Sequence, residues 1–194
     1  LISRFNQGPA NQPMMIPATM ATIVQQGIDT GHLSQGKLDV TVGPLVNLWG
    51  FGPDMRPLKK PSDAQIAKAR QRVGIDKLTL TPQGDHFLLS KAIPDLYLDL
   101  STLGEGAASD EIAVLLEHKG VHNYLIEVAG AVRSKGNNSK GKPWRVAIVK
   151  PADQPGAFSD VVTPNGMALS TAGSYRNYYE LDGQRYSHII DPAT

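Results

Sequence analysis

Cysteine is missing from all 194 residues of the sequence. Its absence excludes a disulfide scaffold, a thiolate metal site and a cysteine nucleophile. It leaves the compartment open, because a chain without cysteine is compatible with both the cytosol and the periplasm. No apolar run approaches the roughly 18 residues that a membrane-spanning helix needs. The N-terminal residues also lack the basic start and apolar run of a secretory signal peptide.

An excess of charge of either sign is missing too. The chain has 19 Lys and Arg against 18 Asp and Glu, a formal net charge of +1. Such a balance gives no broad basic surface, so we expect no nucleic-acid partner. Hydrophobic residues make up 41% of the chain, which is enough for a core. Because the chain lacks an initiator methionine and ends abruptly, we expect a single domain over residues 1–194, truncated at both ends.

Apolar spacing and capping residues predict three helices, all before residue 120. The clearest signal is the pair Ser62 and Gln65, a capping box at the start of the second helix. The passage 43–61 is rich in glycine, proline and large apolar residues, and we expect a buried, irregular connection there. The predicted helices cover about 17–31, 62–74 and 109–119.

Alternating apolar residues predict strands over much of the remaining chain. A hairpin over 176–190 is expected to turn at Asp182-Gly183. Because the helices come early and adjacent strands come late, we predict an α+β fold, with a largely antiparallel sheet and a few packed helices. The other predicted strands lie at 78–80, 87–89, 96–100, 124–128, 132–134, 144–149, 159–162 and 167–171.

The segment 99–106 connects a predicted strand to a predicted helix and carries two glycines. Glycine lets a backbone approach a ligand closely, and the start of a helix offers free N–H groups to a phosphate. Asp99 and Glu105 add carboxylates and Thr102 adds a hydroxyl, which are oxygen ligands that suit Mg²⁺ beside phosphates. The alternative is an ordinary strand–turn–helix connection with a capping acid.

Other polar residues have both a functional and a structural interpretation. Asp39 follows a predicted helix, where an acid either binds a ligand or caps a turn. His188 ends a predicted strand, where it either neutralises phosphate and moves a proton or is structural. The hydroxyl- and tyrosine-rich stretch 170–179 is either a phosphate-binding segment or an edge strand.

Taken together and in this order, these segments resemble the ApbE family of FAD:protein FMN transferases, over nearly the whole chain. The match includes Ser-Arg-Phe-Asn at 3–6 and the long segment that begins Gly-Lys-Leu-Asp at 36–39. The other matching segments are 99–106, 144–148, 170–180 and 187–192.

The resemblance implies a Mg²⁺-dependent transfer of FMN from FAD to a threonine hydroxyl, with release of AMP. The acceptors that it implies are subunits of respiratory flavoprotein complexes such as the Na⁺-translocating NADH:quinone reductase. It also implies a lipoprotein on the periplasmic face of the bacterial inner membrane, attached only through an upstream lipid anchor that these residues do not include. The alternative is an FAD-binding protein of the same fold that sequesters or hydrolyses FAD without transfer.

The resemblance assigns roles residue by residue. It implies that Thr102 lies at a Mg²⁺ position and that His188 lies near the phosphates as a charge or proton partner. The implied FAD contacts are Lys37, Leu38, Asp39, Asp99, Glu105 and Ile190.

The chain departs from the family's pattern at three places, one of which is Ala107, where an aromatic residue usually follows the Gly-x-Gly turn. The Asp and Thr that complete the family's Mg²⁺ site would lie beyond Thr194, so we expect little activity from these residues alone. Ala129-Gly130 stands where a Gly-Gly pair is typical, and a side chain there would crowd a close approach of the backbone.

Overall fold

The fold was obtained as a computed structural model, which describes residues 1–53, 57, 59–150 and 157–193. Antiparallel strand pairs and packed helices alternate along it, as the predicted α+β class requires. The helices are α1 (Ile2–Gln7), α2 (Ala18–Leu33), α3 (Gly43–Leu48), α4 (Asp63–Arg70) and α5 (Ser101–His118). The strands are β1 (Met14–Pro17), β2 (Leu78–Gln83), β3 (His86–Lys91), β4 (Tyr124–Val128), β5 (Ala131–Lys135), β6 (Val146–Val149), β7 (Phe158–Val162), β8 (Ala168–Leu169), β9 (Tyr178–Leu181) and β10 (Gln184–Ser187).

Backbone contacts divide the chain into two compact units. The first contains Leu1–Thr102 and Asn177–Thr194, and the second contains Leu103–Arg176. The single domain over 1–194 stays a prediction. No helix in the described ranges is both long enough and apolar enough to cross a membrane.

The first unit is built on an antiparallel sheet in the order β1-β3-β2. Its core is apolar, because Ile16 of β1, Val24 of α2 and Leu89 of β3 are 1% exposed or less. The hairpin of β9 and β10 belongs to the same unit and pairs Leu181 with Gln184, so its turn lies at Asp182-Gly183 as predicted.

The second unit packs α5 against the sheet β4-β5-β8. Ala113 of α5 and Tyr124 and Ile126 of β4 form its buried apolar cluster. The hydroxyl of Ser109 donates to the carbonyl of Ala131 at 3.2 Å, which fastens the helix to β5. The pair β6-β7 forms a separate two-stranded sheet.

Two local predictions are wrong, and one is incomplete. The third helix begins at Ser101 rather than near 109, so Gly104 and Gly106 are helical and do not form a turn. Residues 96–100 do alternate between buried and partly exposed positions, but they form no strand. The passage 43–61 is buried at its start, yet it opens with helix α3 because Pro44 suits the first turn of a helix; residues 54–56 and 58 of that passage lie outside the described residues.

Candidate functional site

The segment 37–41 forms a tight turn that fixes the carboxylate of Asp39. Its Oδ1 accepts hydrogen bonds from the backbone amide of Thr41 at 2.7 Å and from the hydroxyl of Thr41 at 2.6 Å. Thr41 is fully buried, and its hydroxyl oxygen accepts a further hydrogen bond from the amide of Gly74 at 2.7 Å. The turn is therefore held from both sides, and sequence reasoning missed the part that Thr41 plays.

Asp99 makes the same kind of turn at the start of α5. Its Oδ1 accepts from the amide of Ser101 at 2.9 Å and from the hydroxyl of Ser101 at 2.7 Å. Both acids thus cap turns, as the structural interpretation proposed. Capping uses only Oδ1, and no donor in the described residues reaches Oδ2 of Asp39 or Asp99. The second oxygen of each remains available to a ligand.

A backbone hydrogen bond brings these two turns together. The amide of Asp99 donates to the carbonyl of Val40, the residue after Asp39, at 2.7 Å. Two predicted FAD contacts that are far apart in sequence therefore lie on adjoining stretches of the backbone.

The other two predicted residues of segment 99–106 lie on α5. Thr102 is exposed in the first turn of the helix, where backbone N–H groups lack intrahelical partners. Glu105 is exposed one turn later, in the second unit. A Cβ atom added at Gly104 or Gly106 would meet nothing within 4 Å. The backbone of this turn is thus open to a ligand, although it is helical.

A cavity of about 330 Å³ lies in the first unit, a volume within the usual range for small-molecule sites. Ile190, a predicted FAD contact, is among its lining residues. Next to it, Asp191 accepts a 2.5 Å hydrogen bond from Nζ of Lys37, which lowers the pKa of the Asp191 carboxyl, with help from the amide of Ala193. The cavity is lined by Leu45, Trp49, Ile66, Arg70, Arg185, Tyr186, Ser187, Ile189, Ile190 and Asp191.

The ion pair links this cavity to the turn that carries Asp39. Lys37 lies two residues before Asp39, so the Lys37–Asp191 contact joins the end of the β9–β10 hairpin segment to the 37–41 turn. The structure therefore connects Ile190, Lys37, Leu38, Asp39 and Asp99 within the first unit. Both side chains of the ion pair are substantially exposed, so the pair itself adds little stability.

His188 is held by a carbonyl at one ring nitrogen. Its Nδ1 lies 3.2 Å from the carbonyl oxygen of Asn177, and its backbone amide donates to the same oxygen. Because a carbonyl only accepts, this contact assigns the proton of the neutral ring to Nδ1 and leaves Nε2 as an acceptor. The ring of Phe51 lies beside the imidazole, with centroids 6.4 Å apart.

A stack of aromatic rings supports this region. Trp49 stacks on Tyr186 at 5.1 Å between centroids, and Tyr186 on Tyr179 at 5.6 Å. Phe51 stacks on Tyr179 at 5.3 Å, and the hydroxyl of Tyr179 donates to the carbonyl of Trp49 at 3.0 Å. The tyrosine-rich stretch 170–179 therefore ends in a paired strand, and the ring of Tyr179 packs against its neighbours. This agrees with the interpretation of the stretch as an edge strand.

Sequence reasoning missed the two arginines that line the cavity. Arg70 ends helix α4 and Arg185 lies on β10, with its guanidinium 4.0 Å from the ring centre of Tyr178. Nothing in the local sequence of either arginine distinguishes it from a surface residue. Only the packing of α4 and the hairpin brings them to one cavity.

The described residues do not by themselves form a metal centre. They contain no group of three or more His, Asp or Glu side chains placed to hold an ion. Mg²⁺ commonly takes only one or two protein carboxylates together with phosphates and waters. The oxygen donors near the start of α5 are of the kind that Mg²⁺ accepts.

The fold and this region define a class: an α+β protein with two adjoining carboxylate-capped turns, an open helix start and an aromatic-lined cavity, as suits nucleotide recognition. The comparison with known proteins makes the assignment specific. The chain belongs to the ApbE family, whose sequence model matches residues 1–194.

Curated relatives carry the name FAD:protein FMN transferase. The protein from Salmonella typhimurium is 50% identical over 193 residues, which cover 100% of this chain and 55% of the relative. That of Escherichia coli K12 is 49% identical over 193 residues, with the same coverage of 100% and 55%. The chain thus spans about half the length of the relatives that it matches.

Solved structures agree with the family assignment. The flavin transferase ApbE from Vibrio cholerae superposes with a TM-score of 0.86 at 44% identity, covering 99% of this chain and 60% of that one. The ApbE protein from Thermotoga maritima gives a TM-score of 0.85 at 26% identity, covering 100% of this chain and 61% of that one. The α+β fold predicted from the sequence is confirmed.

Proposed function

We propose that this chain contributes the FAD-binding part of an FAD:protein FMN transferase. The observation that carries the proposal is that the family match extends over residues 1–194. It is supported by the 2.7 Å hydrogen bond between Asp99 and Val40, which brings two implied FAD contacts onto adjoining backbone. Relatives at 44–50% identity that carry this name support the same reaction.

In the proposed reaction, a threonine hydroxyl of the acceptor attacks the phosphorus atom on the FMN side of the FAD pyrophosphate. The bond from that phosphorus to the bridging oxygen breaks, FMN becomes esterified to threonine, and AMP leaves with the bridging oxygen. Nε2 of His188 accepts the hydroxyl proton, a role that its contact with the Asn177 carbonyl supports. Positioning and charge neutralisation supply most of the rate enhancement in such displacements.

The protein residues proposed to hold FAD lie around the two capped turns. The free Oδ2 atoms of Asp39 and Asp99 are available to hydrogen-bond donors of the nucleotide, and Ile190 presents an apolar surface in the cavity. Leu38 follows Lys37 in the same turn, and the ammonium of Lys37 is exposed enough to reach a phosphate. Glu105 on α5 completes the proposed set.

We propose that Thr102 provides one Mg²⁺ ligand. Bound Mg²⁺ would neutralise charge on the pyrophosphate oxygens. The remaining protein ligands would come from outside residues 1–194, as the ApbE resemblance implies.

The acceptor and the location are also proposals. The acceptors would be subunits of respiratory flavoprotein complexes such as the Na⁺-translocating NADH:quinone reductase. The protein would work as a lipoprotein on the periplasmic face of the inner membrane, through a lipid anchor upstream of these residues. Fractionation of cells that express the full-length protein tests this, and recovery in the cytosolic fraction would contradict it.

The transferase proposal is tested with the full-length protein, FAD, Mg²⁺ and an acceptor domain that carries a target threonine. In-gel flavin fluorescence on the acceptor is the expected result, and an acceptor with Thr→Val at the target is the matched control. Free FMN and AMP with an unlabelled acceptor would instead indicate FAD hydrolysis. Absence of FAD binding would refute both activities.

A further inference from the structure

Lys91 is a buried ammonium in the first unit, only 2% exposed. It donates three hydrogen bonds, to the carbonyls of Asn6 at 2.8 Å, Pro94 at 2.7 Å and Leu96 at 3.3 Å. The ring of Phe5 lies beside it, 5.4 Å from Nζ to the ring centre. Burial lowers the pKa of this ammonium, and the Asp95 carboxylate acts in the opposite direction. The Lys91 side chain thus hydrogen-bonds to carbonyls of helix α1 and of the segment after β3.

Asn6 continues the same network. Its Nδ2 donates to the carbonyl of Leu98 at 2.9 Å, and its Oδ1 accepts from the amide of Leu98 at 2.8 Å. A side-chain amide that pairs with both backbone groups of one residue does what a neighbouring strand would do. Residues 96–100 have no strand partner in the described residues, so the Asn6 amide takes that place.

The fixed segment leads directly to Asp99. Lys91 holds the carbonyls at 94 and 96, Asn6 holds residue 98, and the amide of Asp99 then donates to Val40. The direction of the Asp99 backbone is therefore set by two side chains that touch no proposed ligand. Val40 in turn adjoins Asp39, so the network reaches both carboxylates.

Stability alone is a poor explanation for a buried ammonium. Removing a charge from water is costly, and apolar replacements of buried charges are often neutral or stabilising when they pack well. The ammonium does something that an apolar side chain cannot, since it holds three carbonyls at fixed positions around one atom. Positional control of the segment is what the charge adds.

We propose that Lys91 and Asn6 are positioning residues for FAD binding, which act by fixing the backbone that carries Asp99. The inference rests on the proposed function, because it takes Asp99 as an FAD contact. The other part of the proposal, that Lys91 and Asn6 fix the backbone around Asp99, does not depend on FAD. In the ligand-free protein, the network should protect the amides of Leu98 and Asp99 from exchange with solvent.

The experiment uses Lys91→Met and Asn6→Asp in the full-length protein. Lys91→Met removes all three donated hydrogen bonds. Asn6→Asp keeps the acceptor for the Leu98 amide and replaces the donor to the Leu98 carbonyl with a charged oxygen. Asn6→Asp therefore tests the proposal even if Lys91→Met fails to fold. Lys135→Met is the matched control, because it removes a lysine contact, with Glu117, in the second unit.

Two measurements are made on each variant. Hydrogen exchange in the free protein is expected to speed up at Leu98 and Asp99 for Lys91→Met and at Asp99 for Asn6→Asp, and at neither residue for Lys135→Met. The Kd for FAD, from quenching of flavin fluorescence, is expected to rise about tenfold, the loss that one hydrogen bond to a charged group represents. Unchanged exchange at Leu98 and Asp99 would overturn the positioning role, whatever happens to FAD.

A double-mutant cycle separates positioning from general loss of stability. If Lys91 acts through Asp99, then Lys91→Met should weaken FAD binding far less in an Asp99→Asn background than in the wild type. Equal losses in both backgrounds would overturn the inference. If exchange is faster in the variants but the wild-type protein binds no FAD, the proposed function is refuted, and the link to FAD with it.

Discussion

The amide of Asp99 donates a 2.7 Å hydrogen bond to the carbonyl of Val40. This bond joins two capped turns that lie about sixty residues apart in the sequence. Each turn uses one carboxylate oxygen to cap its own backbone. The two carboxylates are therefore held before any ligand arrives, and binding need not spend free energy on ordering them.

The charge of Asp99 is expected to matter beyond its capping role. Asp99→Asn keeps an oxygen that can cap Ser101 but removes the charge, and we expect the Kd for FAD to rise about tenfold. Asp99→Ala should add a loss of stability of about 1 kcal/mol, because the cap is removed as well. Fluorescence titration and thermal unfolding measure the two effects. Asp29→Asn on the exposed face of α2 is the matched control, and unchanged affinity in Asp99→Asn would contradict the assignment.

Alanine at Gly104 should affect stability and binding in opposite directions. The position is helical with open space around it, so Gly104→Ala should stabilise the free protein by about 1 kcal/mol through helix propensity. The added methyl occupies the surface on which the nucleotide is proposed to lie, so FAD affinity should fall. Calorimetry and FAD titration on one preparation test both effects, and unchanged affinity would argue against a close approach at this turn.

Gly31→Ala is the contrasting control, because Gly31 lies in helix α2 with no space for a side chain. An added Cβ would lie 2.6 Å from Cδ1 of Ile75 and 3.1 Å from the carbonyl oxygen of Leu38. Helix propensity is the same as at Gly104, yet overpacking should destabilise this variant by about 1–3 kcal/mol. A stabilised Gly31→Ala would mean that the packing around Leu38 is looser than described.

Acid should weaken the second unit through Glu117. Its carboxylate accepts from Lys135 at 2.8 Å and from the hydroxyl of Tyr124 at 2.5 Å, and these bonds lower the pKa of Glu117 below its ordinary 4.5. A lowered folded-state pKa gives stability that is complete above the unfolded pKa and is lost as the pH falls through the folded one. The melting temperature should therefore fall with acidification below about pH 4.5, and less steeply in Glu117→Gln. Glu111→Gln in the same helix is the matched control, and an equally steep loss in Glu117→Gln would contradict the prediction.

A substitution at Ala129 is expected to raise the stability of the folded protein. It joins β4 to β5 with φ of 49°, followed by Gly130 at 97°, so both turn residues have positive φ as a type I′ hairpin requires. Asparagine tolerates this conformation better than alanine, and Ala129→Asn should raise stability by about 1 kcal/mol, or roughly 2–4 °C in melting temperature. Ala129→Val should act in the opposite direction, because a β-branched residue is strained there. Equal melting temperatures for the two variants would contradict this reading of the turn.

The sequence predicted what short-range chemistry determines. The capping box is present, with Ser62 accepting from the amide of Gln65 and the Gln65 side chain accepting from the amide of Ser62. The turn at Asp182-Gly183 is also as predicted, and β2 and β3 contain the strands predicted at 78–80 and 87–89. Each of these depends on residues a few positions apart, so the pattern carries the information.

What the sequence did not predict depends on distant partners. The alternation at 96–100 is real, but Leu98 bonds to Asn6 and the amide of Asp99 to Val40, which no local pattern reveals. The two glycines of segment 99–106 suggested a loop, whereas α5 begins at Ser101, capped by Asp99 and with open space at Gly104. Arg70 contributes to the cavity because α4 and β10, which are far apart in sequence, both line it. The candidate FAD contacts came from family resemblance rather than from local physics.

The first compact unit is assembled from both ends of the described chain, with the second inserted between residues 102 and 177. During synthesis, the segment Leu103–Arg176 is complete on the ribosome before the β9–β10 strands have been translated. Trp49 and Phe51 must therefore wait for Tyr179 and Tyr186 before their rings can stack. The ring stack and the cavity beside it can therefore form only after the β9–β10 hairpin has emerged.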